Sequence, residues 1–326
     1  MKSSFFASQL RLELCQRNRK YARGRLHVES YGGQPVVVYA PENERHGNFF
    51  DAAYGAIATR PEWMKRFNKI HAQGRALPKP TAEPSRKWRE LDSSMSSDAL
   101  LMNVFCTPGV VESSLLRNVL GVDAAEPPVF GWKARVPLKS GLLDRTEVDM
   151  KWGSLQVEAK LTEGDFQSRT TSIVEAYRDL DEVFDCDLLS RVEIPVGRRK
   201  ETVEFPEDYS QEWEETAPLD FQPPIRTIAS PTEPAYGSYQ LIRNVLAAYA
   251  HQCCFCVIHD ERRPDLREVW YQVMAAVKSA EMRVRLKVLT WQELSTLVPA
   301  ALQYFLDLKY GIVAPGKIAS PIQDRE

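Results

Sequence analysis

The clearest alternation of apolar and polar positions in the chain lies between residues 145 and 162. In "SLQVEAKLT" (154–162), Leu155, Val157, Ala159 and Leu161 face one way, and Gln156, Glu158, Lys160 and Thr162 face the other. A period of two predicts a strand with one buried side. "RTEVDMKW" (145–152) predicts a second strand, with Val148 and Met150 on one face and Glu147 and Asp149 on the opposite one. The short "KWGS" link between them predicts an antiparallel hairpin. "VFGWKARVPL" (129–138) reads as a strand ahead of both.

Helical spacing appears on either side of this hairpin. "SSDALLMNVF" (96–105) offers Ser96 or Ser97 as a cap before an apolar run, and "GVVESSLLRNVLG" (109–121) reads as a short helix closed by Gly121. "TTSIVEAYRDLDEVFD" (170–185), "YQLIRNVLAAYAHQ" (239–252) and "PDLREVWYQVMAAVKSA" (264–280) carry apolar residues at helical intervals. "CCFCVIHD" (253–260) is continuously apolar, as expected of a strand covered on both faces. "MRVRLKVLTW" (282–291) alternates at Val284, Leu286 and Val288, and "ELSTLVPAALQYFLDLKYG" (293–311) is a closing helix that Pro299 kinks. The order is helices, three strands, helix, helix, strand, helix, strand, helix. That is an α/β pattern, with an antiparallel hairpin at one side of a mixed sheet and parallel crossovers at the other.

Two regions stand apart. Residues 1–92 read as a mixed N-terminal extension: two short strands in 25–41 around a Gly-Gly turn, a helix opened by Pro61 in 61–73, and a proline-rich linker at 76–84. Residues from about 190 to 235 are polar and rich in proline and acid, and read as an irregular surface insertion within a core of 93–326.

Composition narrows the function. A formal net charge of −2 advertises no bulk affinity for nucleic acid, so any such contact must use a local patch. One basic stretch, Arg11 to Arg25, includes Arg19, Lys20 and Arg23 and has Glu13 as its single acid; a solvated helix face is the plainer account of it. No apolar run approaches the roughly 18 residues of a membrane span, and the N-terminus has no long apolar signal segment. Six cysteines, three of them crowded at 253, 254 and 256, do not form a disulfide framework and point to a reducing cytoplasm.

Asp149 lies nine residues before Glu158, and Lys160 two after it. Residues two apart on a strand share a face, roughly 6–7 Å from each other. If the hairpin pairs as drawn, Asp149 joins Glu158 and Lys160 there. Two carboxylates form a hard oxygen site suited to Mg²⁺ or Mn²⁺, and a neighbouring lysine can hold a water or a phosphate oxygen. Together they describe metal-assisted hydrolysis of a phosphodiester. A solvated hairpin with Glu and Lys on its outer face produces the same short pattern.

The Asp–(x)8–Glu–x–Lys arrangement on adjacent strands resembles the PD-(D/E)XK nuclease superfamily, with its restriction-endonuclease-like fold. "DRTEVDMKWGSLQVEAKLTEGDFQ" with the later "YQLIRN" is similar to a family of bacterial restriction endonucleases, over about 95–311. Val148 stands where the superfamily's proline would precede the first acid. The resemblance implies a Mg²⁺-dependent deoxyribonuclease in which Asp149, Glu158 and the Ala159 carbonyl ligate metal, and Lys160 orients or activates water. It places Gln240 and Arg243 on a helix facing the site, for contact with Lys160 or phosphate. A further acidic ligand is expected from Glu112, on the helical segment before the first strand, with Glu147 as the alternative. Arg19, Lys20 and Arg23 are expected to help hold DNA. A second copy of the chain and a companion methyltransferase are left open as partners. The alternatives are an inactive DNA-binding or assembly protein on the same fold, and a nuclease acting on RNA or modified DNA.

Two other signals carry little. "GIVAPGKI" (311–318) nearly spells a phosphate-binding loop but has Ile318 where a hydroxyl is needed. Cys253, Cys254, Cys256 and His259 lie in an apolar strand, where adjacent cysteines cannot share a face, so buried structural cysteines are expected rather than zinc.

Overall fold

A computed structural model describes residues 2–30, 35–70, 87–196 and 231–320. The Gly-Gly turn, the proline-rich stretch at 76–84 and most of the acidic insertion lie outside the described residues. The central sheet has five strands: β1 (Val129–Lys133), β2 (Glu147–Trp152), β3 (Leu155–Ala159), β4 (Cys254–His259) and β5 (Leu286–Thr290). They lie side by side in sequence order. The first three form an antiparallel meander, and β4 and β5 add in parallel.

Helices cover both faces of the sheet. On one side pack α1 (Lys2–Tyr21), α2 (Asp51–Ala58), α3 (Pro61–Phe67), α4 (Ser97–Phe105), α5 (Ser114–Leu120) and, from the C-terminal segment, the helices Trp291–Ser295 and Ala300–Tyr310. On the other lie the two crossover helices α6 (Tyr239–Ala250) and α7 (Pro264–Ala276). The apolar residues of β4 divide between the two layers: Cys256 and Ile258 go to the first, Phe255 and Val257 to the second. This is why "CCFCVIHD" is apolar at every step. Leu10, Leu14, Phe49, Ile57, Trp63, Phe67 and Leu91 sit in the same cluster as Met150 and Val157. The described N-terminal helices thus share a core with the sheet.

Several elements are shorter than their sequence pattern predicts. The helix expected over 170–185 is two single turns, Thr171–Val174 and Leu180–Val183. Between them the backbone turns to neighbours: the Lys139 amide donates to the Ala176 carbonyl and the Arg178 amide to the Pro137 carbonyl. Tertiary hydrogen bonds here outbid the helical ladder. The ends of the expected irregular insertion are strands, Arg191–Pro195 against Thr232–Tyr236. The strand expected from 282 begins at Leu286, because Ala280–Arg283 forms a capped helical turn that leaves Val284 exposed. The helix expected from 109 starts at Ser114, capped by Ser113. The closing helix is two, Trp291–Ser295 ending at Thr296 and Ala300–Tyr310 opened by Pro299, rather than one kinked helix.

One departure concerns the site. Val148 and Met150, two apart on β2, do not share a face: Met150 joins the first layer and Val148 the second. The partner strand does the same, with Phe130 in the first layer and Trp132 against the second. The residues at the switch, Gly131 and Asp149, stand opposite each other in a register that pairs Phe130 with Met150 and Trp132 with Val148, but they are not themselves paired. Gly131 has φ +65°, a left-handed conformation that glycine adopts without strain. A Cβ there would also lie 3.1 Å from Cδ of Arg66.

Gly131→Ala is therefore expected to destabilise the protein by about 1–2 kcal/mol, from the cost of a left-handed alanine. A urea midpoint lowered with an unchanged slope would show it; an unchanged midpoint would mean that the switch does not need glycine.

Candidate active site

The pairing of β2 with β3 runs through Trp152–Leu155, Lys151–Gln156 and Met150–Val157, and stops there. One step further the Ala159 amide donates to Asp149 Oδ2 at 2.8 Å. A carboxylate thus serves as acceptor where the ladder opens. On the other edge of β3, the Lys160 amide donates to the Ile258 carbonyl of β4. The Trp291 indole donates to the Lys160 carbonyl at 2.9 Å. The backbone carrying Glu158, Ala159 and Lys160 is therefore held from both sides.

Glu158 and Lys160 are both buried and project toward α6. Lys160 Nζ donates to Glu158 Oε1 at 2.8 Å and to Gln240 Oε1 at 2.9 Å. Asn244 Nδ2 donates to Glu158 Oε2 at 2.7 Å. Gln240 and Asn244 are one helical turn apart, so one face of α6 holds both charged side chains. Arg243 fixes the amide of Asn244 by donating to its Oδ1 from Nε and Nη2, and Nη2 also donates to the Glu147 carbonyl.

The electrostatics are those of a crowded acidic site around one ammonium. Burial, with the carboxylates of Glu158 and Asp98 alongside, pushes the Asp149 carboxyl well above the usual range. Burial disfavours the Lys160 ammonium, but Glu158, Glu163 and Asp149 outweigh it and raise its pKa. Lys160 therefore carries its proton throughout the ordinary pH range. Its ammonium also lies 5.4 Å from the centre of the Phe166 ring.

The geometry brings together Asp149, Glu158, Ala159, Lys160, Gln240 and Arg243. Glu112 is elsewhere: it is exposed in the turn before α5. The acid on the preceding helix whose charge reaches Asp149 is Asp98, in the first turn of α4. Glu147 is bound by Lys69 at 2.5 Å. Arg19 is paired with Glu29 at 2.8 Å, and Lys20 and Arg23 also have partners. These three basic residues do not line the cleft beside Gln240. The buried Arg17 of the same helix is tied to Glu13 and to the Asp307 and Ser320 carbonyls.

Sequence reasoning passed over Asp98, Glu163, Asn244 and Arg66. Asn244 was signalled by its four-residue spacing from Gln240. Glu163 lies just past the end of β3; it accepts from the Leu161 amide and from Ser97 on α4. Arg66, from α3, binds Asp98 and Glu90. Nothing in the local sequence announces that contact. His259 and Asp260 close β4. Asp260 is fully engaged by Arg262 and Gln292, while His259 Nδ1 meets the Asp260 carbonyl. The six cysteines are all free.

No three His, Cys, Asp or Glu side chains among the described residues converge as a metal cage. The fit for a hard divalent cation rests instead on two carboxylates and a main-chain carbonyl. Asp149 Oδ1 accepts no hydrogen bond among the described residues, and the local excess of negative charge is what a dication would relieve.

A five-stranded mixed sheet flanked by helices, with this acid–acid–lysine set at the opening of its hairpin, is a restriction-endonuclease-like core. The family described as restriction endonuclease associating with ARP matches residues 16–311, and the chain belongs to that family. No curated protein and no solved structure matches it. Among the described residues no helix is long and apolar enough to cross a membrane.

A stability test follows from Asp149. Its carboxyl titrates above the unfolded value, so the folded chain retains a proton that the unfolded chain releases. Ionisation therefore costs folded stability; the cost is complete above the folded pKa and vanishes below the unfolded one, about 4. Asp149→Asn is expected to melt higher than wild type at neutral pH, with the gap closing as the pH falls toward about 4. Melting curves across that range check this, and a variant less stable at neutral pH contradicts it.

Proposed function

We propose that the protein is a Mg²⁺-dependent endonuclease that hydrolyses phosphodiester bonds in DNA, with Mn²⁺ able to replace Mg²⁺. The observation that carries this reading is the Lys160–Glu158–Asn244 chain beside Asp149: a buried ammonium and two carboxylates held rigidly at the opening of a strand pair. Membership of a restriction endonuclease family supports it. The family's name couples its members to ARP, so a partner of that designation belongs to this reading too.

In this reading Asp149, Glu158 and the Ala159 carbonyl hold the metal. The bound metal supplies Lewis-acid polarisation of the phosphate and a more acidic water. Lys160 is a donor, since its neighbours keep it protonated. It orients the attacking water and stabilises charge developing on a phosphate oxygen, and it does not abstract a proton. Gln240 aims the ammonium. Asn244 keeps Glu158 in one rotamer, so that both of its oxygens have defined partners. Everything named here addresses the phosphate and not a base, so sequence choice lies outside this cluster.

Supercoiled plasmid with Mg²⁺ tests the assignment. Wild type is expected to nick or linearise it. Lys160→Ala is expected to be slower by about 100-fold or more, the scale of losing one charge-stabilising donor, and Asp149→Ala to be inactive. Equal cleavage by all three would remove the site. DNA binding that is tight and salt-sensitive, without metal-dependent turnover, would favour a non-catalytic protein on the same fold.

Asn244→Ala tests the support for Glu158. It leaves a buried carboxylate oxygen without its donor, at a cost of about 1–3 kcal/mol. The expected result is a higher Mg²⁺ concentration for half-maximal cleavage. An unchanged Mg²⁺ requirement would mean that Asn244 serves only the fold.

A further inference from the structure

Beside the site an open cleft of about 570 Å³ is lined by Lys133, Arg145, Arg169, Gln240 and Arg243, among others. Its cations come from separate parts of the chain: the end of β1, the link before β2, the short strand Arg169–Thr170 that pairs with Ala235 and Tyr236, and α6. Glu147 is the one acidic residue in its lining, and Lys69 already pairs with it at 2.5 Å. The cleft is thus strongly positive in a chain whose net charge is −2.

The side chains of Lys133 and Arg145 are exposed and have no ion-pair or hydrogen-bond partner among the described residues. Arg169 is exposed; its guanidinium donates to the Ser168 carbonyl and lies 5.5 Å from the Tyr239 ring. An unpaired cation on a folded surface gains little for stability. Two of them, converging on one concave wall with Arg169, which no carboxylate neutralises among the described residues, are arranged for an anion that arrives from outside. The wall is continuous with the chemistry, because Gln240 belongs to the cleft and also holds Lys160 at 2.9 Å.

We infer that this cleft is the track for the backbone of the DNA strand to be cut, with Lys133, Arg145 and Arg169 each contacting a phosphate. The inference rests on the nuclease reading above and extends it to binding residues outside the metal-holding set. Arg243 plays a different part. It is buried and spends its Nε and Nη2 donors on Asn244 and Glu147, so it forms the floor between track and site. The flanking loop supports the same surface: Gln167, in a left-handed conformation at φ +60°, and Phe166 offer their carbonyls to the Tyr239 and Gln240 amides, which fixes the N-terminus of α6 against the wall.

The test is duplex-DNA binding by the full chain, followed by fluorescence anisotropy in EDTA over a range of salt. Wild type is compared with the triple variant Lys133→Ala, Arg145→Ala, Arg169→Ala. All three residues are exposed, so the variant's melting temperature is expected to match wild type. Losing three phosphate contacts lowers the slope of log affinity against log salt by about 3 and weakens binding to all sequences alike. With Mg²⁺ present, KM rises and kcat at saturating DNA is kept. An unchanged affinity and salt slope in a variant that still cleaves overturns the track while leaving the nuclease reading intact. A wild-type chain that neither binds duplex DNA nor cleaves it overturns both.

Discussion

The structure turns on the point where two paired strands lose their alternation. A regular pleat would put Asp149 on a face opposite to both Val148 and Met150. Instead Val148 and Met150 enter opposite core layers, as do Trp132 and Phe130 on the partner strand, and the twist passes through Gly131 and Asp149. Freed from the ladder, the Asp149 carboxylate takes up the Ala159 amide and comes within electrostatic reach of Glu158 and Lys160. A flat hairpin would have no place for this acid between the sheet and its neighbours.

Given that opening, the rest of the fold keeps charge in a half-dry site. Burying a carboxylate or an ammonium is costly unless each is paired and hydrogen-bonded. Glu158 and Lys160 satisfy one another, and α6 completes both through Asn244 and Gln240. Asp149 is left with the surplus charge. The segment after Lys160 is tied down by Arg263, which donates to the Glu163 and Gly164 carbonyls and pairs with Asp265 at 2.8 Å. The N-terminal residues take part as well: Arg66 of α3 neutralises Asp98 and Glu90, and its side chain packs against Gly131. These are the marks of a site held rigid at the expense of local stability, as function often requires.

Much of this was legible in the sequence, because the hairpin's own pattern is local. The period of two in "SLQVEAKLT" placed Glu158 and Lys160 together on one side, and the helical spacing of "YQLIRNVLAAYA" placed α6. Three things escaped for physical reasons. The face switch at Val148 depends on a glycine on a different strand, so the alternation of β2 alone misleads. The helix expected over 170–185 has the right apolar spacing, but its backbone groups bond to the segment before β2. Asp98 and Arg66 reach the site only through tertiary packing, and no spacing within either helix points to the other. The polar stretch after residue 190 hid strands at both ends, since the outer strand Arg191–Pro195 of a small three-stranded sheet has mostly exposed side chains and little hydrophobic pattern to show.

The central claim is that Asp149 and Glu158 form one cation site because the strand pair opens between them. Titration calorimetry of Mg²⁺ and Mn²⁺ into the full chain without DNA addresses this most directly, beside the variants Asp149→Asn and Glu158→Gln. The account predicts binding by wild type that either substitution alone abolishes or weakens severely. Binding of the same affinity in either variant would contradict it.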